Sequence, residues 1–201
     1  MNFPTLIVMA KPPVLGKAKS RLAADVGPEV ALEVYQRLLA HTLGQARDYM
    51  GATRVFHAFE ATAYKGFDDF APVLQQGEGL GERMAHAFTE TGCPALMIGT
   101  DCPGVTSALL HQAAQALETA DAVVGPANDG GYYLIGLRQW QPGMLEGIPW
   151  STTGVMQVTL NQATQLGLNV TQLHALVDID TFADLKETGF APDLIRKHAS
   201  L

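Results

Sequence analysis

Cysteine is scarce in this chain, with only Cys93 and Cys102 present. Two cysteines cannot build a disulfide scaffold, and they lack the paired spacing of a structural zinc site. They fit a reducing compartment. Basic charge is also short: 13 Lys and Arg stand against 20 Asp and Glu, a formal charge of −7. That balance argues against a general binder of nucleic acid or anionic membrane, since both reward a basic surface. No apolar run approaches the ~20 residues that cross a bilayer. The run Leu6–Ala10 is too short for a secretory core, and no Lys or Arg precedes it. Asn169-Val170-Thr171 is a glycosylation acceptor only if the chain is exported. The expectation is a cytoplasmic protein.

What remains is ample material for a core. Hydrophobic residues make up 47% of 201, which excludes intrinsic disorder. No linker, repeat or charge block divides the chain, so residues 1–201 are read as one domain. Strands are expected at Thr5–Ala10, Arg54–Phe59, Val73–Gln76, Ala95–Gly99, Ala122–Gly125 and Tyr132–Leu137, short apolar runs that mostly end in Gly, Pro or Lys. Helices alternate with them. One runs from about Pro28 to Tyr49, with Pro suited to its first position and Val30, Val34, Leu38 and Ala31, Tyr35, Leu39 recurring every four residues. Others are marked by Leu109–Leu117 and Val155–Leu166. This alternation predicts an α/β fold with a mostly parallel sheet covered on both faces. Ligands of such sheets bind beyond the carboxyl ends of the strands.

The chemistry-bearing residues cluster just after the apolar runs. Lys11, Lys17, Lys19 and Arg21 fall within eleven positions after the first strand, in a loop shaped by Pro12, Pro13 and Gly16. Such a concentration of positive charge suits a diphosphate or triphosphate. It is not a P-loop, because Gly16-Lys17 is followed by Ala18. Solvated surface cations are the plainer alternative. Gln76-Gly77-Glu78-Gly79-Leu80-Gly81-Glu82-Arg83 brings backbone and a helix start toward a ligand, but misses the dinucleotide fingerprint. An ordinary strand-to-helix loop accounts for it equally well.

Carboxylates stand at other strand ends. Asp101 follows the run ending at Gly99-Thr100, and Asp178 and Asp180 point to one side if extended. One or two carboxylates plus substrate phosphates is how Mg²⁺ is commonly held. For Asp180, helix capping competes, since Thr181 and Asp184 form a near capping box. Asn128-Asp129-Gly130-Gly131 offers a base or metal-shell Asp, or simply a hairpin turn. Trp150-Ser151-Thr152-Thr153 reads first as a helix cap. Neither a G-x-S-x-G elbow nor an H-E-x-x-H zinc motif occurs.

Taken together, Lys11-Pro12-Pro13, Gly16–Leu22, Gly79–Met84, Ile98–Pro103, Gly125–Gly136, Ile148–Thr152 and Asp178–Thr181 resemble the small bacterial GT-A-type transferases known as radical-SAM/selenodomain-associated transferase 1, within the nucleotide-diphospho-sugar transferase superfamily. The resemblance runs from about residue 4 to 188. It implies a GT-A fold, a Rossmann-like mixed sheet with one antiparallel strand. It also implies a nucleotide site comprising Ala10, Lys11, Gly16, Lys17, Lys19, Arg21, Gln76, Gly77, Gly81 and Arg83. Asp101 would bind Mg²⁺ or Mn²⁺ with Asp178 or Asp180. Gly130, Gly131, Tyr132, Trp150, Ser151 and Thr152 would line the acceptor or sugar pocket.

Lys17 and the metal at Asp101 would stabilise the leaving phosphate, and Asp129 would act as base. Glycosyl transfer from a nucleotide sugar to a small-molecule acceptor is the leading expectation. One departure matters: Thr100-Asp101-Cys102 carries a single carboxylate where many glycosyltransferases carry Asp-x-Asp. Lys17–Leu22 also resembles guanylyltransferases acting on phosphorylated small acids, so nucleotidyl transfer with a nucleoside triphosphate donor is the alternative. A non-catalytic nucleotide-binding module is a third possibility. None of these partners is nucleic acid or membrane.

Overall fold

The structure, a computed structural model, describes residues 3–58 and 64–199. Among the described residues seven strands form one sheet: β1 Thr5–Ala10, β2 Thr53–His57, β3 Val73–Leu74, β4 Ala95–Ile98, β5 Ala122–Pro126, β6 Tyr132–Leu137 and β7 Val170–Gln172, in the order β3-β2-β1-β4-β6-β5-β7. Only β6 runs antiparallel, between β4 and β5. The GT-A-type mixed, mostly parallel sheet is therefore as expected. The expected strand end at Phe59 lies outside the described residues.

Alternation along β1 builds two cores. Leu6, Val8 and Ala10 face helices α2 (Pro28–Arg47) and α4 (Ser107–Ala116), meeting Tyr35, Leu39, Leu43, Leu110 and Ala113. Ile7 faces the opposite layer, where α3 (Leu80–Thr91) and α5 (Val155–Gln165) contribute Met84, Phe88, Val155 and Ala163. β4 is buried at all four positions, as a central strand between two helix layers must be. A third cluster joins the outer side of α2, through Ala31, Val34 and Leu38, to α1 (Ser20–Val26), α6 (Phe182–Thr188) and α7 (Pro192–Ala199).

Several elements escape sequence patterning. α1 lies inside the stretch read as cationic loop; its seven residues follow Lys19, which is in the left-handed conformation and supplies no side-chain cap. A 3₁₀ turn, Lys65–Phe70, precedes β3. β7 spans three residues, too few to show alternation.

Candidate functional site

The parallel registers put the ends of β1, β2, β3, β4, β5 and β7 on one rim, together with the start of antiparallel β6. Loops 11–19, 75–79, 99–106, 127–131 and 173–181 share that rim. The segment 138–154 leaves β6 at the far edge and returns to it. The return is tight: a Cβ on Gly81 would sit 2.6 Å from Trp150 Nε1, and one on Gly130 would sit 2.3 Å from Thr153 O. Gly130 also holds φ at 89°. Glycine at these two positions lets residues 150–153 lie across both the Gly-rich turn and the Asp129 turn.

The β1 crossover is anchored by a residue that sequence reading placed only in the core. Tyr35 Oη accepts from Lys11 N (2.9 Å) and donates to Lys11 O (2.7 Å), and Thr100 Oγ1 lies 3.4 Å away. Burial pushes this phenol up to about 12, so it stays neutral. A tyrosine on an apolar helix face that must place its hydroxyl was the available signal. Gln75 Nε2 ties Ala10 O and Phe56 O together at the ends of β1 and β2 (3.3 and 2.7 Å).

The four cations divide. Lys11 and Lys17 are exposed, as is Gly16 between them. Lys19 is turned inward, its side chain only 3% exposed, with Nζ 2.6 Å from Asp101 Oδ1 and 3.4 Å from Asp180 Oδ1. It also donates to Ile179 O. Arg21 Nη2 lies 2.6 Å from Asp180 Oδ2. The crossover and the strand-end carboxylates thus meet directly, but Lys19 meets acid groups instead of standing free on the rim. Arg83 is likewise engaged: Nε donates to Gly77 O (3.0 Å) and Nη2 to Glu78 O (3.4 Å), bracing the Gly-rich turn. Gln76 and Gly77 are exposed there.

Asp178 is the most perturbed carboxyl. Burial first, then the charges of Asp101 and Asp129, push it up to about 7, against the opposing pull of Lys19. Its Oδ1 is buried without a hydrogen-bond partner. The Cys102 thiol, which sequence reading used only to judge redox compartment, lies beside the Asp178 side chain; burial, then the charge of Asp178, push this thiol up to about 12. Asp180, by contrast, spends both oxygens on Lys19 and Arg21. Capping of α6 falls to its neighbours, since Thr181 and Asp184 form a reciprocal capping box.

Asp129 is exposed in the β5–β6 connection, its Oδ1 accepting from Gly131 N at 2.9 Å. The hairpin turn and the rim carboxylate are therefore the same residue. Thr152 Oγ1 donates to Pro149 O and accepts from Gly154 N, which closes a turn ahead of α5; the N-cap is Gly154 and no side chain caps the helix, contrary to the helix-cap reading of Trp150–Thr153, and Ser151 and Thr152 are exposed. Tyr132 differs from expectation. Its ring meets Trp150 edge-on at 6.3 Å, but its hydroxyl is buried near Thr159 of α5, burial raising its pKa against the opposing pull of Thr159, so that hydroxyl does not face an acceptor molecule.

A divalent ion sets a test for this donor set. Among the described residues no three His, Cys, Asp or Glu side chains are grouped as a closed metal cage. A pair of carboxylates is present, with the orphaned Asp178 Oδ1 supplying an unused acceptor beside Asp101. That fits an ion which takes one or two carboxylates and completes its shell with substrate phosphate and water.

A bacterial family described as "Uncharacterized protein conserved in bacteria (DUF2064)" matches residues 34–152. The chain belongs to this family. No curated protein matches the sequence. Among solved structures, a candidate nucleotide-diphospho-sugar transferase from Desulfovibrio desulfuricans G20 is similar at 28% identity and TM-score 0.85, covering 98% of this chain and 99% of its own. Rv0371c of Mycobacterium tuberculosis H37Rv shares the fold at TM-score 0.61 and 18% identity, covering 93% and 98%, and has also been crystallised with manganese. The 2-C-methyl-D-erythritol 4-phosphate cytidylyltransferase of Thermus thermophilus shares it at TM-score 0.54 and 20% identity, covering 98% and 100%.

Proposed function

We propose that the 201 residues form one transferase domain that moves a group from a nucleotide donor to a small molecule, with glycosyl transfer from a nucleotide-diphospho-sugar as the leading reaction. The observation that carries this is the meeting of the β1 crossover with the strand-end acids on one rim, Lys19 Nζ lying 2.6 Å from Asp101. The likeness to the Desulfovibrio protein supports it. Lys11 and Lys17 face the donor's phosphates, and Arg21 flanks them. Lys19 acts behind them as a tie that holds Asp101 and Asp180 in place. Gln76, Gly77 and Gly81 offer backbone and side-chain amide to the nucleoside, while Arg83 keeps that turn in shape.

Asp101 and Asp178 would hold Mg²⁺ or Mn²⁺, with Asp180 fixing the loop from behind. The ion, when bound, offsets negative charge on the departing diphosphate. Lys11, Lys17 and Arg21 act on the same charge from the protein side, carried on a crossover whose backbone Tyr35 anchors at Lys11. Asp129 takes the acceptor's proton. Gly130, Gly131, Ser151, Thr152 and the Trp150 indole shape the acceptor pocket, with Tyr132 supporting Trp150 from below. The acidic net charge and the lack of a helix long and apolar enough to cross a membrane among the described residues accord with a cytoplasmic enzyme of small molecules.

Nucleotidyl transfer is the second reading, favoured by the single carboxylate that follows β4. Incubation with Mg²⁺ and either nucleotide sugars or nucleoside triphosphates, followed by product analysis, tests both. Nucleoside diphosphate release supports glycosyl transfer; pyrophosphate release supports the second reading. Asp129→Asn should lower glycosyl turnover by about 10²-fold or more. Unchanged turnover in that variant would remove the base assignment, because an ionised phosphate acceptor needs none. Metal-independent binding with no turnover of any donor would leave only a binding module.

A further inference from the structure

Positive charge is confined to one half of the rim. Between Arg83 and Lys186 the sequence contains a single Lys or Arg, Arg138. Arg138 follows the far end of β6 and pairs with Asp121, just before β5, on the opposite edge of the sheet. The rim loops 99–106, 127–131, 149–154 and 173–181 therefore contain no Lys or Arg, yet carry Asp101, Asp129, Asp178 and Asp180. Among the described residues, the cations that pair with these acids come from the β1 crossover and the start of α1. These two, Lys19 and Arg21, are already paired with Asp101 and Asp180.

Helix starts are the other common holders of anions, and those of α4, α5 and α6 each spend at least two of their first amides internally. At α4, Ser107 N donates to Gln45 Oε1 and Leu109 N to Thr106 Oγ1. At α5, Gly154 N donates to Thr152 Oγ1 and Met156 N to Gly130 O. At α6, Phe182 N donates to Asp25 Oδ2 and Asp184 N to Thr181 Oγ1. An anionic acceptor would thus meet exposed Asp129 with no Lys or Arg in these loops to offset it, the divalent ion being committed to the donor's diphosphate.

We infer that the acceptor is an uncharged or cationic molecule bearing a hydroxyl or amine, and not a phosphorylated or carboxylated acid. The inference rests on the transferase reading and narrows its substrate class. Charged contacts contribute roughly ten- to hundredfold each to the affinity of an anion, and this half of the rim has none to spare. An amine or polyol is instead received by carboxylates that accept its N–H or O–H groups. In the reaction, the acceptor's oxygen or nitrogen forms a bond to the sugar's anomeric carbon. The bond from that carbon to the diphosphate oxygen breaks, its electron pair leaves with the nucleoside diphosphate, and the acceptor's proton passes to Asp129.

Counting anion sites tests this without knowing the nucleobase. Pyrophosphate with Mg²⁺ serves as the probe for the donor side, followed by calorimetry and ³¹P NMR. One equivalent should bind, and Lys17→Ala should weaken it about tenfold or more. To the loaded protein, methyl phosphate, glycerol 3-phosphate and phosphoglycolate should then show no saturable binding. A saturable second anion site in the loaded protein overturns the acceptor class alone. Failure of pyrophosphate to bind, or binding indifferent to Lys17→Ala, overturns the transferase reading and the acceptor class with it.

Discussion

Asp178→Asn should stabilise the protein in alkaline solution and leave it unchanged in acid. The carboxyl is lifted from 3.8 to about 7, by burial first and then by Asp101 and Asp129. Below pH ~4 the folded and unfolded chains both hold this proton, and the group costs nothing. Between pH ~4 and ~7 the unfolded chain ionises while the folded one does not, so stability falls as pH rises. Above pH ~7 the loss is complete. A shift of about three units corresponds to a ceiling of roughly 4 kcal/mol, and relaxation around the buried charge trims it. Asparagine has nearly the same shape and no charge to desolvate.

At about 2–4 °C per kcal/mol for a chain of this size, Asn at 178 should raise Tm by several degrees at pH 8 and by none at pH 4. Differential scanning calorimetry in metal-free buffer reads this directly. Adding Mg²⁺ at pH 8 should raise Tm of the parent chain and move the Asn variant much less, since an ion that needs Asp178 charged binds only the native state. An equal gap between the two proteins at both pH values, or a lower Tm for the variant at pH 8 without metal, would refute the argument.

Lys19→Met leaves Asp101 and Asp180 facing each other without their buried cation, and should cost roughly 3 kcal/mol in urea unfolding. Tyr35→Phe strips the Lys11 amide of its acceptor. It should cost about 1–3 kcal/mol, with a higher KM for the donor since the crossover loses its anchor. Gly81→Ala places a methyl against the Trp150 indole and should cost about 1–3 kcal/mol. Indole displacement there should also shift tryptophan emission, whereas an unmoved spectrum would mean that Trp150 is held elsewhere.

Local pattern carried much of the fold. Apolar runs bounded by Gly and Pro marked six of the seven strands among the described residues, most plainly central β4, which is buried on both faces and has no polar positions to blur it. The four-residue recurrence in α2 located its buried face for the same reason. Short elements with few buried apolar positions, β7 with none and α1 with only Leu22 and Val26, left no such trace. The rim followed from topology: once strands are parallel, the loops that follow them share one edge, so the β1 crossover, Asp101 and Asp129 were legible as belonging to the same rim.

Composition and order along the chain were enough to determine the layered sheet, the cationic first crossover and the acids after later strands. Tertiary structure decided which side chains those groups spend themselves on. Lys19 reads like its neighbours Lys17 and Arg21, but its ammonium is bonded to a carbonyl 160 positions away. Asp178 and Asp180 are two residues apart on paper, but one carries an orphaned buried oxygen and the other is fully paired. Desolvation and pairing depend on what the rest of the chain packs around a group, and local spacing holds no record of that.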